Sequence, residues 1–150
     1  MDKLVGMGFE VDLPDGWDGR IYRRGDDALA ATARTLHAAN FPLPVGRGDY
    51  GGGVHEQMAA DDVLVTLVEF DPGNSNSALF AQQGVPVPLR PESFSPAAMP
   101  RTVPGKAGAQ FFFSIGDRAF SMFIVIGNYS NRARLVPVVN SVVETLQIEA

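Results

Sequence analysis

The stretch Gln110-Phe111-Phe112-Phe113-Ser114-Ile115-Gly116-Asp117-Arg118-Ala119-Phe120-Ser121-Met122-Phe123-Ile124-Val125-Ile126 decides the fold. Two apolar runs, 110–115 and 118–126, are separated by two residues. Gly-Asp between such runs fits a two-residue hairpin turn, because glycine reaches the positive φ that the turn demands. With the turn placed there, Ile115 pairs with Arg118, Phe113 with Phe120, Phe111 with Met122 and Ala109 with Ile124. Successive side chains of a strand point to opposite faces. One face of the hairpin then carries Phe111, Phe113, Ile115, Phe120, Met122, Ile124 and Ile126, and must be core. The other carries Gln110, Phe112, Ser114, Ala119, Ser121, Phe123 and Val125, and is mixed.

Working outward, Val63 to Phe70 is apolar on both faces, the pattern of a strand central in a sheet. Phe9-Glu10-Val11-Asp12-Leu13 alternates with a period of two and reads as a half-buried strand. Pro14-Asp15-Gly16 makes a turn, and residues 20–23 read as the next strand. Residues 34–41 read as another strand, ended by Pro42 and Pro44. Leu135, Val138, Val139, Val142, Val143 and Leu146 follow helical spacing. Pro137 is tolerated only in a first turn, so this helix is expected to start near Leu135 or Val136. Gln147-Ile148-Glu149 could close the fold as a short strand. The class expected is α+β: a single domain over 1–150, with a twisted antiparallel sheet and a C-terminal helix packed on one face.

The intervening segments carry weaker signals. Residues 28–33 are ambiguous, 46–53 form a glycine-rich loop, and 54–59 could make one or two helical turns. Residues 71–77 are loop by composition. Residues 78–105 hold six prolines, Pro86, Pro88, Pro91, Pro96, Pro100 and Pro104. They read as a long surface connection, with a helical turn beginning near Ser95, where Pro96 suits the first helical position.

The 150 residues are one domain's worth and enough to bury about 70% of the unfolded chain's surface. There is no cysteine, which excludes disulfide scaffolds, thiol nucleophiles and cysteine-bound metals. Twelve Lys+Arg against seventeen Asp+Glu leave a net charge of -5. The cations are scattered; the densest pair, Arg23-Arg24, is followed by Asp26 and Asp27. No nucleic-acid role is expected from that distribution. No apolar run reaches the ~20 residues of a membrane helix, and the N-terminus lacks a secretory pattern. A cytoplasmic location is expected. The predominance of arginine over lysine, with abundant Ala, Gly and Val, points to a bacterial source.

Motifs of chemistry are sparse. Gly46-Arg47-Gly48-Asp49-Tyr50-Gly51 has the spelling of a dinucleotide-binding loop, and Glu69 stands near the position of a ribose-binding acid. That motif needs a strand before it and a long helix after it. Here prolines precede it and only a short helical signal follows, so a surface loop is the better reading. His37 and His55 are the only histidines, and no metal-ligand spacing surrounds them. His37 falls mid-strand, where a hydrogen-bonded structural role is the default. Asp61-Asp62, just before a strand, reads as a capping or solvated pair. No nucleophile elbow occurs. No cofactor is expected.

Gly8-Phe9-Glu10-Val11-Asp12-Leu13-Pro14-Asp15-Gly16-Trp17 resembles the opening of the Mog1/PsbP-like fold, a strand followed by a Pro-x-Gly-Trp turn. The terminal hairpin and Val138-Val139-Asn140-Ser141-Val142-Val143-Glu144-Thr145-Leu146 are similar to its ending. The resemblance implies an antiparallel sheet with helices packed on it, and a binding module rather than an enzyme. No functional residue carries over.

Two functional expectations follow. The first is a non-enzymatic protein-interaction, adaptor or chaperone-like module, with a protein partner or self-association. Its contact surface would be the mixed hairpin face, Gln110, Phe112, Ser121 and Phe123, since an apolar patch of that kind marks a contact surface. The alternative is a small-ligand-binding protein or enzyme with a pocket between the sheet and the Gly/Pro-rich loops. Tyr50, His55, Arg101 and Arg118 would be its polar residues.

Overall fold

The computed structural model describes residues 2–23, 34–43, 57–75, 77–99 and 103–150. The signals at 28–33 and 46–53 fall outside these residues, as does the first half of that at 54–59. The decisive hairpin forms as read: β6 (Ala107–Ile115) and β7 (Arg118–Ile126) pair antiparallel with Ile115 opposite Arg118 and Phe113 opposite Phe120. Gly116, at φ 59, supplies the positive dihedral at the first turn position, where a type II′ turn needs it. β5 (Val63–Phe70) lies beside β7, then β4 (Arg34–Ala39), then β3 (Asp18–Arg23). The order in this five-stranded sheet is β3-β4-β5-β7-β6. β5 is covered on both faces, with Val63, Val65 and Leu67 in one buried cluster and Leu64 in a second, which explains its apolar residues on both faces.

A second sheet departs from the single sheet expected. β1 (Asp2–Gly6), β2 (Phe9–Leu13) and β8 (Gln147–Ile148) form a separate three-stranded antiparallel sheet. β1 escapes sequence reading because its turn is Met7-Gly8. Both residues have positive φ, 50 and 84, the backbone of a type I′ turn, where Asn-Gly is the ordinary signal. The next turn is legible: Gly16 has φ 86, and the Trp17 amide donates to Pro14 O at 3.1 Å.

Helix α1 (Arg132–Val143) and the small sheet both cover the same face of the large one. Phe9, Val11 and Leu13 meet Leu36, Val65, Leu67, Phe113, Phe120, Met122 and Ile124, with Leu135, Val136, Val139, Val142 and Val143 from the helix, in one buried cluster. The helix begins three residues before the earliest expected start, so Pro137 lies in its second turn. The cause is a 3-10 turn, Tyr129–Asn131, that leads directly into the helix and is capped by Asn128, whose Oδ1 accepts from Ser130 N at 2.8 Å. Pro137 faces solvent, where its missing N–H is least costly. At the end of β7, Gly127 is required sterically. A Cβ there would lie 1.9 Å from the Ala59 carbonyl oxygen.

The proline-rich connection does more than cross the surface. Phe80, Leu89, Phe94 and Met99 are buried and anchor it. Ser114 N donates to Gln82 O and Ser114 O accepts from Gly84 N, while Ser95 and Gly108 exchange backbone bonds, and these protect the outer edge of β6 at both ends. A 3-10 turn spans Pro96–Ala98 with Ser95 as its cap, the helical turn expected there. The strap is also held from the helix. Asn140 Oδ1 accepts from Leu89 N at 2.8 Å, and Asn140 Nδ2 donates to Leu89 O at 3.0 Å. Asn140→Leu is expected to lower unfolding free energy by about 1–3 kcal/mol, because both backbone groups of Leu89 lose their partner. A urea titration checks this; a change within experimental error would mean that water replaces the amide.

Candidate functional site

The face of the large sheet away from α1 carries the residues expected to form a contact surface. Cross-strand register puts Arg20, His37, Thr66, Phe123 and Gln110 in one row, and Tyr22, Thr35, Val68, Ser121 and Phe112 in the next. The chain itself covers much of this face. Phe123 is 4% exposed and Ser121 0%. Phe123 packs in a second apolar cluster with Ala39, Met58, Leu64, Met99 and Val125, bordered by Phe41, Leu43 and Val103. Phe112 is half-buried and meets Phe80 edge-on, with ring centroids 5.4 Å apart. Gln110 is exposed and donates to Ser121 Oγ at 3.0 Å. Gln110, Phe112, Ser121 and Phe123 are therefore brought together, but not as an open apolar patch. The strap through Phe80 and Met99 lies over them, and sequence alone could not place it there.

The polar groups of this face bond to one another. Tyr22 Oη lies 2.8 Å from His37 Nε2, and Thr66 Oγ1 lies 3.1 Å from His37 Nδ1. His37 is thus the hydrogen-bonded structural histidine expected. Asp62 likewise caps, its Oδ2 accepting from Ala59 N at 2.8 Å.

Of the alternative pocket residues, Tyr50, His55 and Arg101 lie outside the described residues. Arg118 belongs elsewhere than a pocket beneath the loops. It sits on the core-facing side of β7, 14% exposed, with Glu69 only 5% exposed beside it. Arg118 Nε and Nη2 donate to the two carboxylate oxygens of Glu69 at 2.9 and 2.8 Å. Its Nη1 donates to Glu149 O at 2.8 Å and Nη2 also to Met7 O at 3.3 Å. The guanidinium lies 5.3 and 5.2 Å from the Phe9 and Phe120 ring centroids. One side chain thereby ties β7 to β5, to the β1–β2 turn and to the chain's last strand. Glu69 is committed to this pair and cannot serve as a ribose-binding acid.

Above that tie the surface opens into a groove of about 420 Å³ lined by Val5, Met7, Phe9, Glu10, Ile148 and Glu149, among others. Val5 is 63% exposed and Met7 37%. Among the described residues β1 is the terminal strand of its sheet, and one of its edges pairs with no strand there. Lys3, on that strand, bridges to Glu10 at 3.1 Å and Asp12 at 3.2 Å. The hydrogen bond to Glu10, then that to Asp12, holds the Lys3 ammonium above its ordinary pKa. Its folded pKa is raised, so this contribution is full below the unfolded pKa and is lost as pH rises through the folded one. Val5 and Met7 were missed by sequence reading. The available signal was the pair of glycines bracketing Met7.

Comparison of the chain with protein-family models, curated proteins and solved structures finds no match. Among the described residues no helix is long and apolar enough to cross a membrane. Among the same residues no group of three or more His, Asp or Glu side chains stands together as a metal site would require.

Proposed function

We propose that the chain is a non-enzymatic protein-interaction module, of an adaptor or chaperone-like kind, built on a Mog1/PsbP-like arrangement. Its contact surface is the β1–β2 turn and the groove beside it, in place of the covered hairpin face. The observation that carries this reading is Met7. A long apolar side chain is exposed at φ 50, in the left-handed region. Non-glycine residues pay about 1–3 kcal/mol for sparsely populated backbone regions, and such outliers cluster at functional positions. Asparagine would suit the same turn at less cost. Methionine adds what asparagine lacks, a flexible, polarisable surface that adapts to partners. Val5 stands near it, and Arg118 fixes the carbonyls of Met7 and Glu149 from below, so the surface is held in shape before any partner arrives.

The test separates stability from binding. Met7→Asn is expected to keep or raise the melting temperature. It is also expected to abolish stoichiometric co-purification of a protein partner, or self-association measured by light scattering. Val5→Glu should act the same way on binding. Association unchanged in both variants overturns the proposal. So does a small-molecule screen that gives strong thermal stabilisation while no protein partner is found.

A further inference from the structure

The register of the small sheet fixes which backbone groups of β1 face outward. The two-residue turn Met7-Gly8 makes Gly6 and Phe9 a hydrogen-bonded pair. Bonded and non-bonded pairs alternate along an antiparallel ladder. Leu4 therefore bonds to Val11, while the N–H and C=O of Lys3 and Val5 point away from β2. Among the described residues no strand or backbone group takes them up. The edge stands at the margin of the molecule. β1 packs over β3, where a Cβ on Gly6 would lie 3.5 Å from Ile21 Cδ1, and β3 is itself the terminal strand of the large sheet. Val5 is 63% exposed on this edge. A lysine on an edge strand ordinarily keeps other strands away. Here Lys3 is drawn back onto Glu10 and Asp12, at 3.1 and 3.2 Å, so its charge is already matched.

Charge and shape along the edge select what can pair with it. A strand laid beside β1 sets one residue next to Val5 and another next to Lys3. Beside Val5 the fitting residue has an aliphatic stem and a positive end, because Glu10 stands directly across Val5 on β2. Beside Lys3 the fitting residue is uncharged and apolar. The segment Lys3-Leu4-Val5 of this same chain, run antiparallel, supplies both. We propose that β1 pairs with β1 of a second copy about a two-fold axis at Leu4, joining two three-stranded sheets into one. Lys3 of each copy then faces Val5 of the other, and each such pair exchanges both main-chain bonds. Across the outer face the row reads Glu10, Val5, the second copy's Lys3 and the second copy's Asp12. Each lysine lies between carboxylates of the two copies, and its stem covers the exposed Val5. Leu4, which packs against the core cluster, meets the other Leu4 on the inner face, and Asp2 faces Gly6. Neighbouring registers fit worse. Centring the pair on Lys3 sets like charges directly opposite each other. Centring it on Val5 sets Lys3 against the turn at Met7. This pairing rests on the reading of the β1–β2 end as a contact surface and names its partner, a second copy. Val5 borders the groove that Met7 also lines, so edge and groove form one surface.

The chain has no cysteine, so a single introduced one is an unambiguous reporter. In the proposed pair the two Leu4 residues form a non-hydrogen-bonded pair with Cα atoms about 4.5 Å apart, within the span of a disulfide. Leu4→Cys of the full chain is expected to give a covalent dimer on mild oxidation, at least about tenfold faster than Asp2→Cys, whose two copies lie several residues apart along the strands. Light scattering over a concentration series should show wild type reaching twice the chain mass. Val5→Pro removes the outward N–H and leaves every β1–β2 bond in place. It should weaken association at least about tenfold, since each copy loses one interchain bond. Val5→Thr keeps the N–H and should remain dimeric. Should Val5→Pro fail to fold, cross-linking of Leu4→Cys still decides. Cross-linking of Leu4→Cys no faster than of Asp2→Cys overturns the pairing, as does dimerisation unchanged in folded Val5→Pro. If association is nevertheless lost in Met7→Asn, the pairing falls and the groove reading stands. If wild type stays monomeric and retains no other protein, both fall.

Discussion

Arg118→Ala is expected to remove about 3–5 kcal/mol of unfolding free energy, the loss found when one partner of a buried ion pair is deleted. Domains of this kind have about 5–15 kcal/mol in total, so the variant should sit near the edge of folding at room temperature. The loss has a definite origin. Glu69 is 5% exposed and would keep only the 3.5 Å contact to Arg34. The Met7 and Glu149 carbonyls would lose their shared donor. The double variant Arg118→Met with Glu69→Leu should recover much of this, because two apolar side chains of similar volume leave no charge stranded. Urea unfolding of the single and double variants decides the matter. If the double variant is as unstable as Arg118→Ala, the loss comes from packing and backbone carbonyls rather than from the stranded carboxylate.

Phe120→Ala is expected to cost a similar amount, about 3–5 kcal/mol, through the cavity it leaves. Phe120 is completely buried and joins three elements. It meets Phe9 of the small sheet edge-on with centroids 5.8 Å apart and stacks on Phe113 at 5.5 Å. Arg118 lies over the same ring at 5.2 Å. The two substitutions should therefore not add. Side chains in contact couple by about 0.5–3 kcal/mol, so Arg118→Ala made on the Phe120→Ala background should show a reduced loss. Additivity within error would mean that the guanidinium gains nothing from the ring.

Much of the fold was legible because its signals are local. Gly116-Asp117 between two apolar runs specified a hairpin and its register. Pro14-Asp15-Gly16 specified a turn, and Ser95-Pro96 a capped helical turn. Pro137 reads as a boundary and so places the helix start late, whereas the 3-10 turn capped by Asn128 carries the chain into the helix from further upstream. β1 went unread because its turn holds methionine where a sequence signal would be asparagine. Of the candidate contact residues, the register brought Gln110, Phe112, Ser121 and Phe123 together as expected. Their exposure was not legible, since it depends on where the proline-rich strap through Phe80 and Met99 settles.

By itself the sequence determined most of the strands and the body of the helix, the turns at Pro14-Asp15-Gly16 and Gly116-Asp117, and which side of the hairpin is core. Those properties follow from backbone preference and from a two- or 3.6-residue rhythm, and both act over a few neighbours. Only the tertiary structure decided the rest. It divided the strands between two sheets and laid the strap through Phe80 and Met99 over the second face. It brought Arg118 to Glu69 across 49 positions and lifted Met7 into solvent. These are consequences of which surfaces meet, and contacts between distant residues leave no period in the chain.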